Sequence, residues 1–253
     1  MQEAKSQKNA DSLNKWNVSF QGLASRNSVV DNNFSSLPYS GNQLGASSII
    51  SYKKRRALHD LEMSFSKGIL KNQFQYQLTQ MNFYINYSNL YKLGALANKS
   101  ALKVYGGGSL NFLYSSRKYQ AFVNNNEAFE SATSLSASIK VILAPKSKPS
   151  MFSLSNLLSV PFISAVQQPA FGSEKLSRNI SEDPSKRSSI FESQKILSIA
   201  DFFRIKNSIS LGKNLNPKNN ISLNYSIDYY HIKSQRGVEQ FRHTFGLSYS
   251  YLF

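Results

Sequence analysis

The chain ends in the segment His243-Thr-Phe-Gly-Leu-Ser-Tyr-Ser-Tyr-Leu-Phe253, and this segment decides the fold. Large apolar residues take every second position from Phe245 to Phe253, with glycine and serine between them, and only Leu252 breaks the alternation. Successive side chains of a β-strand point to opposite faces of the sheet. A period of two therefore predicts a strand with one apolar face and one small, polar face.

The same alternation recurs upstream along most of the chain. Between Ile221 and Tyr229, for example, large apolar residues alternate with Ser, Asn and Asp. We expect about ten strands, with eight or twelve as alternatives because strand boundaries are hard to place from sequence. The expected strand centres lie near residues 19, 49, 61, 81, 108, 138, 157, 204, 226 and 246.

Turn-rich connectors separate the alternating segments and sort into two sets. An even number of strands returns both termini to the same end of a closed barrel. The turns expected at that end are 53–56, 91–99, 144–150 and 212–219, and the loops expected at the opposite, outer end are 25–43, 67–72, 116–131, 164–197 and 234–238. A shift of the apolar face predicts a bulge near Gln80, and Pro161 predicts a bulge, an edge or a strand end.

Composition narrows the function classes. The chain has no cysteine, so disulfides and thiolate metal sites are excluded. Its net charge of +16 suggests a nucleic-acid-binding protein, but the charge is scattered along the chain. The only tight basic run is Lys53–Arg56. We therefore expect no nucleic-acid partner, and a basic surface suits anionic lipid head groups equally well. No apolar run reaches the ~18 residues of a transmembrane helix, whereas transmembrane strands are hidden in mean hydropathy.

The C-terminal segment resembles the assembly signal of bacterial outer-membrane β-barrels. In that family a glycine, alternating aromatics and a terminal Phe mark the closing strand for the barrel-assembly machinery. The resemblance implies an all-β fold, a closed antiparallel transmembrane barrel over residues 15–253 after a polar tail at residues 1–14. It also implies a removed leader, a place in the outer membrane, and a periplasmic location for the end of the barrel that bears both termini. The matching residues are Phe245, Gly246, Leu247, Tyr249, Tyr251 and Phe253.

The period alone does not say which face of a barrel meets lipid, since a lipocalin-like soluble barrel would have an apolar interior. Tyr and Phe near the strand ends, and polar strips with charges of both signs, favour the membrane barrel. Because small barrels are filled by their own side chains, we expect paired charges in a plugged or very narrow lumen. The expected lumen charges are Asp60, Glu62, Lys103, Lys140, Arg204, Lys206, Asp228 and Arg242.

Candidate chemistry is sparse. His59, His231 and His243 form no metal-binding motif, so we expect no metal and no cofactor. An omptin-like protease needs an Asp–His couple with paired carboxylates, but Asp228 and His231 should point to opposite faces. An outer-membrane phospholipase needs His-x-Ser, which does not occur. We expect His59 and His243 to pack at the membrane interface, and the glycines 106–108 to lie within a strand.

The leading hypothesis is therefore a non-enzymatic barrel that acts as an accessory or scaffold subunit of a larger outer-membrane complex. A narrow channel or small-solute transporter is the second hypothesis, and a lipid-directed enzyme is the third. The expected partners are outer-membrane lipids and lipopolysaccharide, other subunits of the complex, and the barrel-assembly machinery during biogenesis.

Overall fold

The computed structural model describes residues 15–32, 35–93, 102–120, 127–144, 152–168, 194–233 and 237–253. The predicted tail at residues 1–14 and most of the predicted loop 164–197 lie outside these ranges. No helix in the described ranges is long and apolar enough to cross a membrane. The strands are β1 (Lys15–Asp31), β2 (Ser35–Lys54), β3 (Ala57–Lys71), β4 (Gln77–Lys92), β5 (Leu102–Tyr119), β6 (Glu127–Leu143), β7 (Phe152–Gln167), β8 (Lys195–Ser198), β9 (Phe202–Asn214), β10 (Asn219–Ile232) and β11 (Val238–Leu252).

The strands close into one antiparallel barrel. Neighbouring strands pair in chain order, β1 pairs with β11, and β6 pairs with β7 to complete the ring. Both β8 and β9 pair with β7 in the same direction, so they form a single crossing that is interrupted at residues 199–201. The barrel therefore has ten crossings, and the predicted fold class and strand number are confirmed.

Several strands extend farther than predicted at the outer end of the barrel, which is the end opposite the N and C termini. The predicted outer loop 25–43 was wrong, because β1 continues to Asp31 and β2 begins at Ser35. The predicted loop 116–131 was also too long, since β5 ends at Tyr119 and β6 begins at Glu127. Outward side chains in these extensions are largely polar, so apolar alternation stops while backbone pairing continues.

The two predicted bulges had different outcomes. The bulge near Gln80 was wrong, since β4 pairs with β3 and β5 in an unbroken register. The apparent shift arises because Phe74 and Tyr76 precede the strand and Leu78 points into the barrel. At Pro161 the bulge was confirmed: the β6–β7 register slips there, which suits a residue that cannot donate a ladder hydrogen bond.

The periplasmic turn in the basic run was predicted well. β2 and β3 are joined by only Arg55 and Arg56, and Arg55 has a φ of 38°. Positive φ at a two-residue hairpin matches the right-handed twist of the strands that it joins. The turn at 215–218 also falls within the predicted range 212–219.

The outward face of the barrel is apolar and bears rows of aromatic rings. At the periplasmic end, Trp16, Tyr52, His59 and Tyr87 form a row across β1 to β4, with successive centroids 4.5, 6.0 and 6.3 Å apart. Toward the outer end, rings of β9, β10 and β11 form a second row. Amphipathic rings at two levels mark the two interfaces of a membrane-spanning barrel.

Candidate functional site

The lumen is the candidate site, and apolar and aromatic side chains fill its outer end. These side chains form one buried cluster contributed by strands on all sides of the barrel. A small barrel closed in this way has no room at that level for an open passage. The cluster consists of Val29, Tyr39, Leu70, Leu78, Tyr84, Leu113, Tyr119, Ala132, Val166, Phe202, Tyr230, Ile232 and Val238.

A buried ion network centred on Arg117 lies among these apolar residues. The Arg117 guanidinium, whose side chain is 1% exposed, donates to Asp31 Oδ2 at 2.8 Å and also to Glu130. The hydroxyl of Tyr119 donates to Asp31 at 3.0 Å, and that of Tyr230 donates to Glu130. Pairing and hydrogen bonding are what make such burial of charge tolerable.

Sequence reasoning missed the Arg117 network because it assigned all three charged members to outer loops. Asp31 lies within the predicted loop 25–43, and Arg117 and Glu130 lie within the predicted loop 116–131. Asp31 lies two positions after Val29, and Arg117 lies two positions before Tyr119, so the residues of each pair share one face of a strand. This period of two was the signal in the sequence that both segments are strands.

A layer of amides crosses the lumen below the Arg117 network. Gln80 Oε1 accepts hydrogen bonds from Asn27 Nδ2 at 2.6 Å and Gln43 Nε2 at 3.2 Å. Gln80 Nε2 lies 2.8 Å from Gln240 Oε1 and 3.0 Å from Ser115 Oγ. Because these partners belong to β1, β2, β5 and β11, the fully buried Gln80 links opposite sides of the barrel wall.

Three of the sequence-predicted charges meet in the middle of the lumen. Arg204 contacts Asp228 through two hydrogen bonds of 2.9 and 2.8 Å, and Arg242 Nη2 lies 2.8 Å from the same carboxylate. Arg204 also lies over the ring of Tyr84, with 4.9 Å between Cζ and the ring centroid. Tyr84 thus separates the central charges from the filled outer half.

The remaining predicted charges lie nearer the periplasmic end. Lys206 Nζ lies 2.9 Å from Glu62 Oε2 and 4.1 Å from the Tyr84 centroid, and Lys140 Nζ lies 2.7 Å from Asp60 Oδ2. Lys103 lies on the lumen side of β5 near its periplasmic end, and no ion pair of Lys103 occurs within the described ranges.

The ion-paired charges of the lumen balance. Across the residues that the structure describes, five cationic and five anionic side chains take part, so this paired set has no net formal charge. The cations are Arg117, Lys140, Arg204, Lys206 and Arg242, and the carboxylates are Asp31, Asp60, Glu62, Glu130 and Asp228.

A polar cavity of about 300 Å³ occupies the periplasmic half of the lumen. It is lined mainly by serine and asparagine, from Asn17 and Gly212 near the strand ends to Tyr84 and Arg242 at its inner end. Beyond Tyr84, a second space bordered by Asn111 measures only about 10 Å³, which is about the room for one water molecule. Along β4 the cavity reaches Tyr84 and, one inward position farther, Asn82, which accepts a hydrogen bond from Gln80. Among the described residues, the cavity therefore ends below Gln80.

The histidines lie away from the lumen charges. His59 faces outward and contacts the hydroxyl of Tyr87 at 3.0 Å, and His243 faces outward and contacts the hydroxyl of Tyr225 at 2.7 Å. His231 lies on the outward face of β10, whereas Asp228 points inward, as their spacing predicts. Within the described ranges, no group of three or more His, Asp or Glu residues could hold a metal ion.

The residues of the predicted assembly signal lie where β11 closes the barrel against β1. Phe245, Leu247 and Tyr249 are exposed on the outward face, and Tyr251 packs against Phe253 with 4.8 Å between ring centroids. Gly246 points inward beside the side chain of Gln21. The alternation in this segment is explained by large side chains that face outward and small ones that face the lumen. Recognition of the segment by the assembly machinery stays a prediction.

No family model and no curated protein match the sequence. Solved structures with a similar fold include the outer membrane protease OmpT of Escherichia coli, at 7% identity over 95% of this chain and 96% of that chain, with a TM-score of 0.48. The translocator domain of the autotransporter NalP from Neisseria meningitidis has 8% identity over 98% and 92%, with a TM-score of 0.44. Neisserial surface protein A has 10% identity over 92% and 96%, with a TM-score of 0.38.

The location of the chain follows from its own architecture. A closed antiparallel barrel satisfies every backbone group without an open edge, as a bilayer requires. Here the barrel has an apolar exterior, aromatic rows and an interior in which most buried residues are polar or charged, the reverse of a soluble barrel. The protein has the fold of a bacterial outer-membrane β-barrel, and the outer membrane is its location.

Proposed function

We propose that this protein is a non-enzymatic, non-conducting barrel that serves as a scaffold subunit of an outer-membrane complex. The observation that carries the proposal is the filled outer half of the lumen. Arg117 and Gln80 are fully buried there, and their partners come from opposite sides of the barrel wall. A lumen built in this way supports a rigid membrane-embedded body rather than a passage for solutes.

The periplasmic cavity bears on the alternative of a narrow channel. A channel needs a continuous wet path, and the cavity of about 300 Å³ ends at Tyr84 and Asn82, below Gln80. Tyr84 and Gln80 lie on the same face of β4, so together they form the inner part of the closure. Conductance is therefore the property that separates a scaffold from a channel.

We expect the wild-type protein in planar bilayers to give no steady conductance, and we expect the double variant Gln80→Ala/Tyr84→Ala to stay closed as well, because the rest of the apolar cluster still fills the outer end. Currents from the double variant would show that these two side chains alone close an otherwise open passage, and would favour the channel. The matched control is Thr79→Ala/Tyr87→Ala, which truncates two outward residues of the same strand. Steady single-channel currents from the wild type would instead support the channel.

A hydrogen-bonded pair of asparagines on the outward face supports the proposal that another protein contacts the barrel there. Asn156 Nδ2 donates to Asn207 Oδ1 at 2.7 Å, and both residues lie on the outward face among Leu158, Ile205 and Ile209. Asn207 interrupts an alternation that is otherwise apolar from Phe203 to Leu211. Polar side chains within an apolar membrane surface commonly bond to neighbouring segments, so the pair suits a contact with another subunit.

The subunit role is tested by purifying the protein from its native membrane in mild detergent. We expect defined partners to co-purify with the wild type, and their yield to fall at least about fivefold for Asn156→Leu/Asn207→Leu, because the outward polar contact is lost. The control Leu154→Asn/Leu211→Asn leaves the amide pair intact and adds polarity beside it. A wild-type protein that elutes alone would overturn the scaffold role.

A further inference from the structure

Three exposed cations share one sector of the outward face near the outer end. Arg26 lies on β1, and Lys67 and Lys71 lie on β3. In the strand register, Arg26 is opposite Asn42 of β2, and Asn42 is opposite Ile69 of β3. Lys67 and Lys71 flank Ile69, two residues away on either side, and face the same way.

This register places the three cations around one small area. Strands lie about 4.8 Å apart, so Arg26 is about 10 Å from Ile69 across two strands. Lys67 and Lys71 are each about 7 Å from Ile69 along β3. Long, flexible Lys and Arg side chains can span such distances, so all three can converge on a single multivalent anion above Asn42 and Ile69.

The three cations lack acidic partners in the described part of the chain. No carboxylate there lies within ion-pair distance of Arg26, Lys67 or Lys71. Elsewhere at the same end, Lys118 pairs with Glu127 at 3.2 Å. Like charges that converge without a counter-charge repel one another, and a bound anion would remove that repulsion.

An apolar surface adjoins the cations on the side toward the membrane. Ala24, Leu44 and Phe65 face outward next to Arg26 and Lys67 in the register, and Leu44 is 72% exposed. A ligand that fits this sector therefore needs phosphates at one end and hydrocarbon at the other. A free phosphate would use only the cations and would leave the apolar surface exposed.

We propose that Arg26, Lys67 and Lys71 bind the phosphorylated head group of an outer-leaflet glycolipid of the lipopolysaccharide class, with its acyl chains on Leu44 and Phe65. The proposal rests on the outer-membrane location of the barrel but not on its role as a scaffold. Each cation near an anionic lipid surface strengthens binding about fivefold. Removing all three should weaken binding roughly 100-fold.

The test measures binding of bis-phosphorylated lipid A to the full-length barrel in neutral detergent by native mass spectrometry. The variant Arg26→Gln/Lys67→Gln/Lys71→Gln is compared with Lys54→Gln/Lys213→Gln/Lys218→Gln, which removes the same charge at the periplasmic end. Heat-dependent gel mobility shows that each variant is a folded barrel. We expect wild type and control to bind alike, the outer-end variant to bind roughly 100-fold more weakly, and dephosphorylated lipid A to bind all three equally weakly.

Two results would overturn the lipid site alone. One is equal binding of lipid A by the outer-end variant and the control, which would show that lipid A is attracted by the overall positive charge and not by this site. The other is displacement of lipid A by millimolar inorganic phosphate, which would show that acyl chains contribute nothing. A wild-type protein that is folded but remains soluble without detergent would overturn the membrane location together with the lipid site. Conductance or solitary elution would overturn the scaffold role alone.

Discussion

Asp228 links two guanidinium groups in the middle of the lumen. It accepts hydrogen bonds from Arg204 and Arg242, and the Asp228 and Arg204 side chains are each 5% exposed. Removing one partner of a buried ion pair leaves a charge that neither water nor protein compensates. Exposed ion pairs have no such sensitivity, because water replaces the lost partner.

At the residue scale we expect Asp228→Asn to lower the free energy of unfolding by about 3–5 kcal/mol. The control Glu127→Gln, which breaks the exposed pair with Lys118, should cost no more than about 1 kcal/mol. Guanidinium unfolding in lipid vesicles, followed by fluorescence of the single Trp16, measures both. Equal losses in the two variants would contradict the network described for the lumen.

Strand spacing, at the element scale, depends on glycines that face the lumen. A Cβ atom added at Gly68 of β3 would lie 2.2 Å from the backbone oxygen of Asn42, and one added at Gly45 of β2 would lie 2.2 Å from that of Phe65. Any side chain there forces the two backbones apart. A Cβ at Gly246 would instead meet only the amide end of Gln21, which is a flexible side chain.

We therefore expect Gly68→Ala to destabilise the barrel by about 1–3 kcal/mol, as overpacking does when backbone must shift. Gly246→Ala should cost less than about 1 kcal/mol, since the Gln21 side chain can rotate away. The same vesicle unfolding measurement ranks the two variants. A larger loss at Gly246 would show that this position in the closing strand is constrained by something other than the space around it.

Strand boundaries show where sequence reasoning stops at this scale. Apolar alternation marks a strand only where one face meets lipid, so the parts of β1 from Ser25 onward and of β5 from Ser116 onward were predicted as loops. Proline was a better guide: because its missing N–H disrupts the ladder on any strand, Pro161 marked the register slip between β6 and β7. The interruption between β8 and β9 left no comparable signal.

For the whole molecule, the sequence was sufficient to predict a closed barrel of about ten strands with charges inside. It was not sufficient to predict which charges pair. Glu62 meets Lys206 across 144 positions of sequence, and that contact depends on the stagger of all the intervening strands. The alternation determines whether a residue faces the lumen or the lipid. The level at which the residue lies along the barrel axis depends on how all the strands are staggered once the barrel closes.

The spread of these ion pairs along the chain has a consequence for biogenesis. Arg117 of β5 needs Asp31 of β1, while Glu62 of β3 needs a lysine that is synthesised near the end of the chain. Hairpins that entered the bilayer one at a time would each carry uncompensated charge into hydrocarbon. The positions of these pairs therefore favour insertion in which the strands that share an ion pair enter the bilayer together.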